Sequence, residues 1–204
     1  MKILNLYAGI GGNRKLWGNV DVVAVENVPE IAKIYQDFFP KDKVIVADAH
    51  QYLLEHFKEF DFIWSSPPCP THSRFNHLSN VQEGKKVVYP AMELYQEIIY
   101  LKHWCKSKWI VENVISYYDP LIIPQEINHH YFWSNFYIHP MLKKRRGIRN
   151  EKNHTNIRAK ELGFDIGKIK GNSDFKRKIL NNCVEPETGL HIFQEAFREY
   201  KTLL

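Results

Sequence analysis

The sequence predicts an α/β fold, a mainly parallel sheet with helices on both faces and a small basic segment appended. Three observations predict it. Short apolar, β-branched runs alternate with stretches of helical periodicity, glycine and proline punctuate the junctions, and no internal repeat or low-complexity tract interrupts the alternation. Residues 2–7 form the first strand, closed by the turn Ala8-Gly9-Ile10-Gly11-Gly12. Residues 21–26 form the second, followed by a helix over 29–39 with proline in its first turn. A third strand at 44–47 leads to a short helix at 51–57, and a fourth at 60–64 runs into consecutive prolines. A helix over 90–105 and a strand over 108–111 follow, and the aromatic and β-branched run 131–138 reads as a further strand near a sheet edge.

At 204 residues the chain has room for one domain and a small lobe, and its 44% apolar content supports a real core. No apolar run approaches the roughly 18 residues that span a bilayer. The chain opens on Met1-Lys2-Ile3-Leu4 without a signal-peptide pattern, and its three cysteines form no disulfide or metal-ligand spacing. The expectation is a cytoplasmic monomer with free thiols and no metal, in which Cys105 and Cys183 are structural. The net charge is +5. The excess is concentrated between Met141 and Lys178, a basic stretch that suits either a solvated face or a surface turned toward phosphates.

The run Ser65-Ser66-Pro67-Pro68-Cys69-Pro70-Thr71-His72-Ser73 carries the most chemistry. Pro67 and Pro68 remove two donors and bar helix, so the chain turns stiffly at the end of the fourth strand with Cys69 on the turn. Open α/β sheets place their ligands at such strand ends. Taken alone, Cys69 reads equally as a nucleophile or as a buried structural thiol. The glycine turn lacks the full dinucleotide-binding spacing. Fourteen residues beyond Gly12, Glu26 ends the second strand where a carboxylate can accept from ribose hydroxyls, and Asp48 ends the third where it can accept from an adenine amino group. Both acids also suit the capping of the following helices. A glycine turn with acids at strand tips two and three describes a cofactor with adenosine and no pyrophosphate, which fits S-adenosylmethionine better than a nicotinamide dinucleotide.

Leu4-Asn5-Leu6-Tyr7-Ala8-Gly9-Ile10-Gly11-Gly12, Glu26-Asn27, Asp48, Pro68-Cys69, Glu112-Asn113-Val114 and Asn182-Cys183-Val184-Glu185-Pro186-Glu187 stand in the order of the cytosine-C5 DNA methyltransferases, which the chain resembles over most of its length. The resemblance implies a Rossmann-like S-adenosylmethionine-dependent methyltransferase fold. It implies a catalytic set of Cys69, Glu112, Pro68 and Asn113, with Cys69 attacking the base and Glu112 holding it. It implies cofactor contacts from Leu6, Tyr7, Ala8, Gly9, Gly11, Gly12, Glu26, Asn27, Asp48, Ala49, Pro67, Asn182 and Val184. It divides the chain into a catalytic domain at 1–141, a short basic target-recognition segment at 142–175 and a returning segment at 176–204. In that last segment Leu190, Phe193, Phe197 and Tyr200 supply the apolar stripe of a C-terminal helix.

The chemistry asks for these residue types. Carbon 5 of cytosine is a poor nucleophile until a thiolate adds at carbon 6, so the Cys69 loop is expected to be electropositive or rich in amides. Glu112 needs a raised pKa to give a proton to ring nitrogen 3, and a base inside a duplex has to be flipped out. Double-stranded DNA is the expected partner, contacted by Ser73, Arg74, Lys85, Lys86, Lys143, Lys144, Arg145 and Arg146. The stretch 74–89 reads as a lid loop hinged at Gly84.

Three departures stand out. The usual Pro-Cys-Gln is Pro68-Cys69-Pro70, Asn181-Asn182 stands where Gly-Asn is usual, and no arginine stands at Asn128-His129-His130-Tyr131-Phe132-Trp133, where a Gln-x-Arg-x-Arg pattern is common. His129 or His130, or Arg145 or Arg146, is left to replace it. The recognition segment is also short, which implies short or degenerate sequence recognition. Three other readings remain: an RNA cytosine-C5 methyltransferase, since Ser66-Pro67-Pro68-Cys69 is similar to the tRNA-modifying branch; a catalytically silent nucleic-acid-binding subunit; and an amino-methyltransferase of Ser-Pro-Pro-aromatic type, against which stand the cysteine after Pro68 and Glu112-Asn113-Val114.

Overall fold

The structure is a computed structural model that describes residues 1–86, 88–141 and 153–199. Five strands, β1 (Lys2–Leu6), β2 (Asp21–Val25), β3 (Lys43–Ile45), β4 (Phe62–Ser65) and β5 (Lys108–Val114), pair in parallel. Two more, β6 (Gln125–Ile127) and β7 (His130–Ser134), join antiparallel, giving the order β3-β2-β1-β4-β5-β7-β6. The helices are α1 (Pro29–Phe38), α2 (Ala49–His56), α3 (Arg74–Gln82), α4 (Glu93–Trp104), α5 (His154–Glu161), α6 (Ser173–Asn181) and α7 (Pro186–Ala196).

Strands covered on both faces need continuous apolar runs, and β1 and β4 supply them: Ile3, Leu4, Leu6, Phe62, Ile63 and Trp64 are all fully buried. Each fully buried Leu or Ile contributes roughly 1.5–3 kcal/mol. On one face Leu4, Leu6, Ile63 and Val111 pack against α2 and α4; on the other Ile3, Phe62, Trp64 and Phe132 pack against Trp17 and Ile192 of α7. A third cluster joins Ile10 and Ile34 to Ala159, Leu162, Phe164, Ile169 and Leu180. The described part of the segment read as target-recognizing is therefore helical and seated on α1, and the expected boundary after residue 175 falls inside α6. Strand order reverses between β1 and β4, so the crevice beyond their carboxyl ends is where such a sheet binds ligands.

Several elements differ from expectation. β5 continues to Val114 because β7 pairs alongside it beyond the end of β4, with Glu112 opposite Phe132 and Val114 opposite His130. The expected edge strand over 131–138 is the shorter β7, and Ile138 instead donates its backbone N–H to the Gln125 side chain. The stretch 74–89 is not a loop but largely α3, capped by the Ser73 hydroxyl accepting from the Asn76 amide. Gly84 is the left-handed residue that ends this helix, with φ +62 and backbone bonds from Gly84 to Val81 and from Lys85 to Asn80, so it is a helix cap rather than a bare hinge. In α7 the buried stripe runs through Thr188, Gly189, Ile192, Glu195 and Ala196; Phe193 stacks on Trp17, Phe197 is 39% exposed, and Tyr200 lies outside the described residues. The stripe is rotated because Gly189 lies directly on the Asn13 backbone and its carbonyl accepts from the Trp17 indole.

Candidate active site

Beyond β1 the chain turns at once. Tyr7 takes a left-handed conformation with φ +54, which costs a non-glycine residue on the order of 1–3 kcal/mol and marks a constrained position. Gly9 follows at φ +54, and nothing lies within 4 Å of where a side chain would begin, so the turn opens onto free space there. The other two glycines serve packing: a side chain on Gly11 would strike Phe39 and Tyr35, and one on Gly12 would meet the Val184 carbonyl at 2.6 Å. That close approach brings the returning segment, with buried Cys183 and Val184, onto the glycine turn, while Asn182 lies exposed at the end of α6.

The Glu26 carboxylate, 8% exposed, accepts from the Gly9 amide on one oxygen and from the Val28 amide on the other, both at 3.0 Å. It thus shapes the turn and holds the chain that enters α1. Asp48 caps α2 through the Gln51 amide at 2.8 Å; it is exposed, with its second carboxylate oxygen available. Asn27 is exposed beside Glu26. Leu6, Ala8 and Ala49 turn their side chains into the core, which leaves their backbones as the part that faces the crevice.

Cys69 lies half-buried on the turn after β4. Its carbonyl accepts from the His72 and Ser73 amides at 3.0 Å, and Ser73 bridges to Ser116, so the cysteine turn is pinned to the chain leaving β5. Asn113, 2% exposed, donates from its side chain to the Pro67 carbonyl at 3.0 Å and so positions the proline run; Pro67 is buried and Pro68 exposed. Burial and the neighbouring Glu112 carboxylate push the Cys69 thiol up to about 11. The loop expected from the sequence is electropositive or rich in amides, features that lower a thiol's pKa; burial and Glu112 act here in the other direction, so that the thiol is protonated near neutrality.

Glu112 is buried, and burial raises its pKa; His130 and the Ser66 hydroxyl oppose the rise. Ser66 accepts from the Trp64 indole at 2.9 Å, which leaves its own proton for Glu112. His130 comes to this rim because β7 runs antiparallel and begins where β5 ends. His130 and Phe132 share a face, Phe132 is opposite Glu112, and so the imidazole is the diagonal neighbour of the carboxylate. The His130 Nε2 to Glu112 Oε1 distance is 3.7 Å, an electrostatic neighbour rather than a hydrogen bond. Nδ1 faces the Asn128 carbonyl at 3.3 Å, and because a carbonyl only accepts, Nδ1 carries a proton. Of the candidates for the missing arginine, His130 stands beside Glu112; His129 sits on a left-handed turn at φ +71, and Arg145 and Arg146 lie outside the described residues.

Of the expected nucleic-acid contacts, Ser73 caps α3 and Arg74 donates to the Ser116 carbonyl at 3.4 Å. Lys85, which pairs with Glu83, and Lys86 lie exposed just beyond α3. Lys143, Lys144, Arg145 and Arg146 fall outside the described residues. In α5, Arg158 is turned inward to Glu185 at 3.0 Å. Cys183 is buried and pushed up to about 12, and Cys105 is half-buried with its thiol also raised by burial. Among the described residues no helix is long and apolar enough to cross a membrane, and no group of three or more His, Cys, Asp or Glu is placed to hold a metal ion.

Sequence reasoning missed Ser66, which reads as loop filler until Trp64 is seen to orient it, and a buried polar cluster around Glu97 on α4. Glu97 falls on the buried stripe Leu94, Ile98, Leu101, so the signal was an acid at a core-facing position.

Among curated proteins none matches this sequence. Solved structures similar to it include a Spodoptera frugiperda DNMT2 mutant (26% identity over 55% of this chain and 35% of that one, TM-score 0.39), the Entamoeba histolytica methyltransferase EhMeth (13%, 56% and 38%, 0.37) and the plantazolicin methyltransferase BpumL in complex with SAH (15%, 56% and 39%, 0.35). The chain spans between a third and two fifths of each of these proteins. The family model for C-5 cytosine-specific DNA methylase matches residues 1–117, more than half of the sequence and the part that carries the glycine turn, Glu26, Asp48, Cys69 and Glu112. The chain belongs to the C-5 cytosine-specific DNA methylase family, a family of S-adenosylmethionine-dependent methyltransferases.

Proposed function

We propose that this protein methylates carbon 5 of cytosine in double-stranded DNA, on a base flipped into the crevice between β4, β5 and β7. The observation that carries the reading is the convergence of Cys69 on the turn after β4, Glu112 on β5 and His130 on β7, next to the carboxyl end of β1, after which the Gly9 turn opens. The open space at Gly9 and the outward-facing oxygen of Asp48 fit an adenosine-bearing donor, held by the backbone of 6–9, Glu26, Asn27, Asp48 and Ala49, with Pro67, Asn182 and Val184 closing the pocket. S-adenosylmethionine supplies the methyl group as a sulfonium substituent.

Cys69 forms a bond to carbon 6 as its thiol loses a proton. Burial is the main cause that holds that thiol up and the Glu112 charge the second, so passing the thiol proton to Glu112 relieves that charge as sulfur bonds to carbon 6, and Glu112 gives the proton on to ring nitrogen 3. His130 sets its Nε2 beside the Glu112 carboxyl while the Asn128 carbonyl fixes its ring. Carbon 5 takes the methyl as S-adenosylhomocysteine leaves, then gives its proton to solvent as the Cys69–carbon 6 bond breaks; ring nitrogen 3 returns its proton through Glu112 to sulfur, giving 5-methylcytosine and the free thiol. Asn113 and Pro68 position the cysteine. Exposed Arg74, Lys85 and Lys86 meet phosphates at the mouth, while the expected contacts Lys143, Lys144, Arg145 and Arg146 lie outside the described residues.

The test is incubation with methyl-labelled S-adenosylmethionine and either duplex DNA or structured RNA, followed by nucleoside analysis. Label in 5-methyldeoxycytidine is expected. Label in 5-methylcytidine would move the substrate to RNA, and binding without label would make the protein a silent nucleic-acid-binding subunit.

A further inference from the structure

Beneath the crevice lies a buried polar cluster that the chemistry above does not use. Glu97, 1% exposed on α4, accepts from the Tyr7 hydroxyl at 2.6 Å and the Ser65 hydroxyl at 2.5 Å, and pairs with His50 Nδ1 at 3.0 Å. Its neighbours on the same stripe, Leu94, Ile98 and Leu101, are apolar and fully packed, so α4 needs no carboxylate to dock. Burying a charge is expensive unless each of its lone pairs is satisfied, and here three donors satisfy it.

The origin of those donors is what matters. Tyr7 belongs to the turn after β1, and Ser65 ends β4, directly before Ser66 and the run to Cys69. His50 lies in the first turn of α2, two residues after Asp48. β1 and β4 are adjacent, with Leu6 opposite Ser65, so one carboxylate spans the point where the strand order reverses. Tyr7 holds its left-handed conformation with its hydroxyl anchored on that carboxylate.

We propose that Glu97 is a positioning residue for methyl transfer, tying the cofactor turn at Tyr7 to the strand that carries the cysteine. Tyr7 is the arm to the cofactor and Ser65 the arm to the cysteine. The two arms thus have separable effects, which a general packing role does not produce. The proposal rests on assigning the Gly9 turn to the cofactor. Loss of S-adenosylhomocysteine binding in Glu26→Ala tests that assignment by itself, so its failure is told apart from failure of the role given to Glu97.

The experiment measures S-adenosylhomocysteine affinity by calorimetry and the rate of thiol–disulfide exchange at Cys69 by peptide mapping. Neither needs the nucleic-acid substrate. Glu97→Gln, isosteric and uncharged, is expected to weaken cofactor binding tenfold or more and to change the Cys69 rate at least threefold. Tyr7→Phe is expected to weaken binding at least threefold with the Cys69 rate within twofold of wild type, and Ser65→Ala to do the reverse. If Glu97→Gln does not fold, the opposite behaviour of the two single arms decides. Melting temperatures that fall while both quantities stay within twofold in all folded variants would overturn the proposal, as would two arms that shift both quantities alike.

Discussion

The thiol of Cys69 should titrate late in the unliganded protein, and Glu112 should be part of the cause. At pH 8 a thiol pushed up to about 11 is ionised to about one part in a thousand, against about one in ten for the ordinary value of 9.0. A more basic thiolate is also a better nucleophile. With a Brønsted slope of about 0.45 the two-unit rise recovers roughly eightfold of the hundredfold loss, leaving Cys69 about tenfold slower than an ordinary thiol in exchange with a small aromatic disulfide. Access to a half-buried sulfur scales the rate at every pH alike, so the midpoint of the profile carries the test. In a Cys105→Ser background the rate at Cys69 should climb through pH 10 without levelling. Glu112→Gln removes a negative charge that raises the thiol, so its profile should shift to lower pH and exchange should quicken at pH 8. A wild-type plateau near pH 9, or a Glu112→Gln profile shifted upward, would refute the account of this site.

Three further outcomes follow from the geometry. His130→Ala should lower the single-turnover rate by about a hundredfold, the scale of a lost proton-handling group, with cofactor affinity unchanged by calorimetry; His129→Ala should stay near wild type. Gly189→Ala places a methyl on the Asn13 backbone and should cost roughly 1–3 kcal/mol in urea denaturation. His50 is raised by Glu97, with Asp48 and Glu93 adding to the effect. Its pairing is fully present below the unfolded value of 6.5 and is lost as pH rises through the raised folded value, so His50→Asn should flatten the fall in melting temperature between pH 5.5 and 8.5.

The sheet was legible because β1, β2, β4 and β5 are buried on both faces and therefore written as apolar runs, with glycine or proline following closely on the first three. What periodicity cannot register is an element that buries little. α3 has no buried residue, and its only marks are Ser73 at one end and Gly84 at the other. β6 is three residues long with Gln125 and Glu126 in it. α5 and α6 lay inside a run whose lysines and arginines drew the eye from Leu162, Phe164 and Ile179. At the site, Cys69, Glu112 and Glu26 were readable from residue type at strand ends. The choice of His130 over His129 was not, since it depends on which of two adjacent residues pairs beside Val114 and shares a face with Glu112. The direction in which the Cys69 thiol is shifted was not legible for a related reason: burial and the nearness of Glu112 belong to the packed state, not to the loop's composition.

The central claim is a covalent bond between Cys69 and the target base. The most direct measurement uses duplex DNA carrying 5-fluorocytosine together with S-adenosylmethionine, because fluorine in place of the carbon 5 hydrogen blocks the elimination that frees the enzyme. Denaturing electrophoresis and peptide mapping should find a stable protein–DNA adduct on Cys69, lost in Cys69→Ser and dependent on the methyl donor. Methylation of ordinary cytosine by the same preparation, with Cys69 unmodified on the fluorinated duplex, would contradict it.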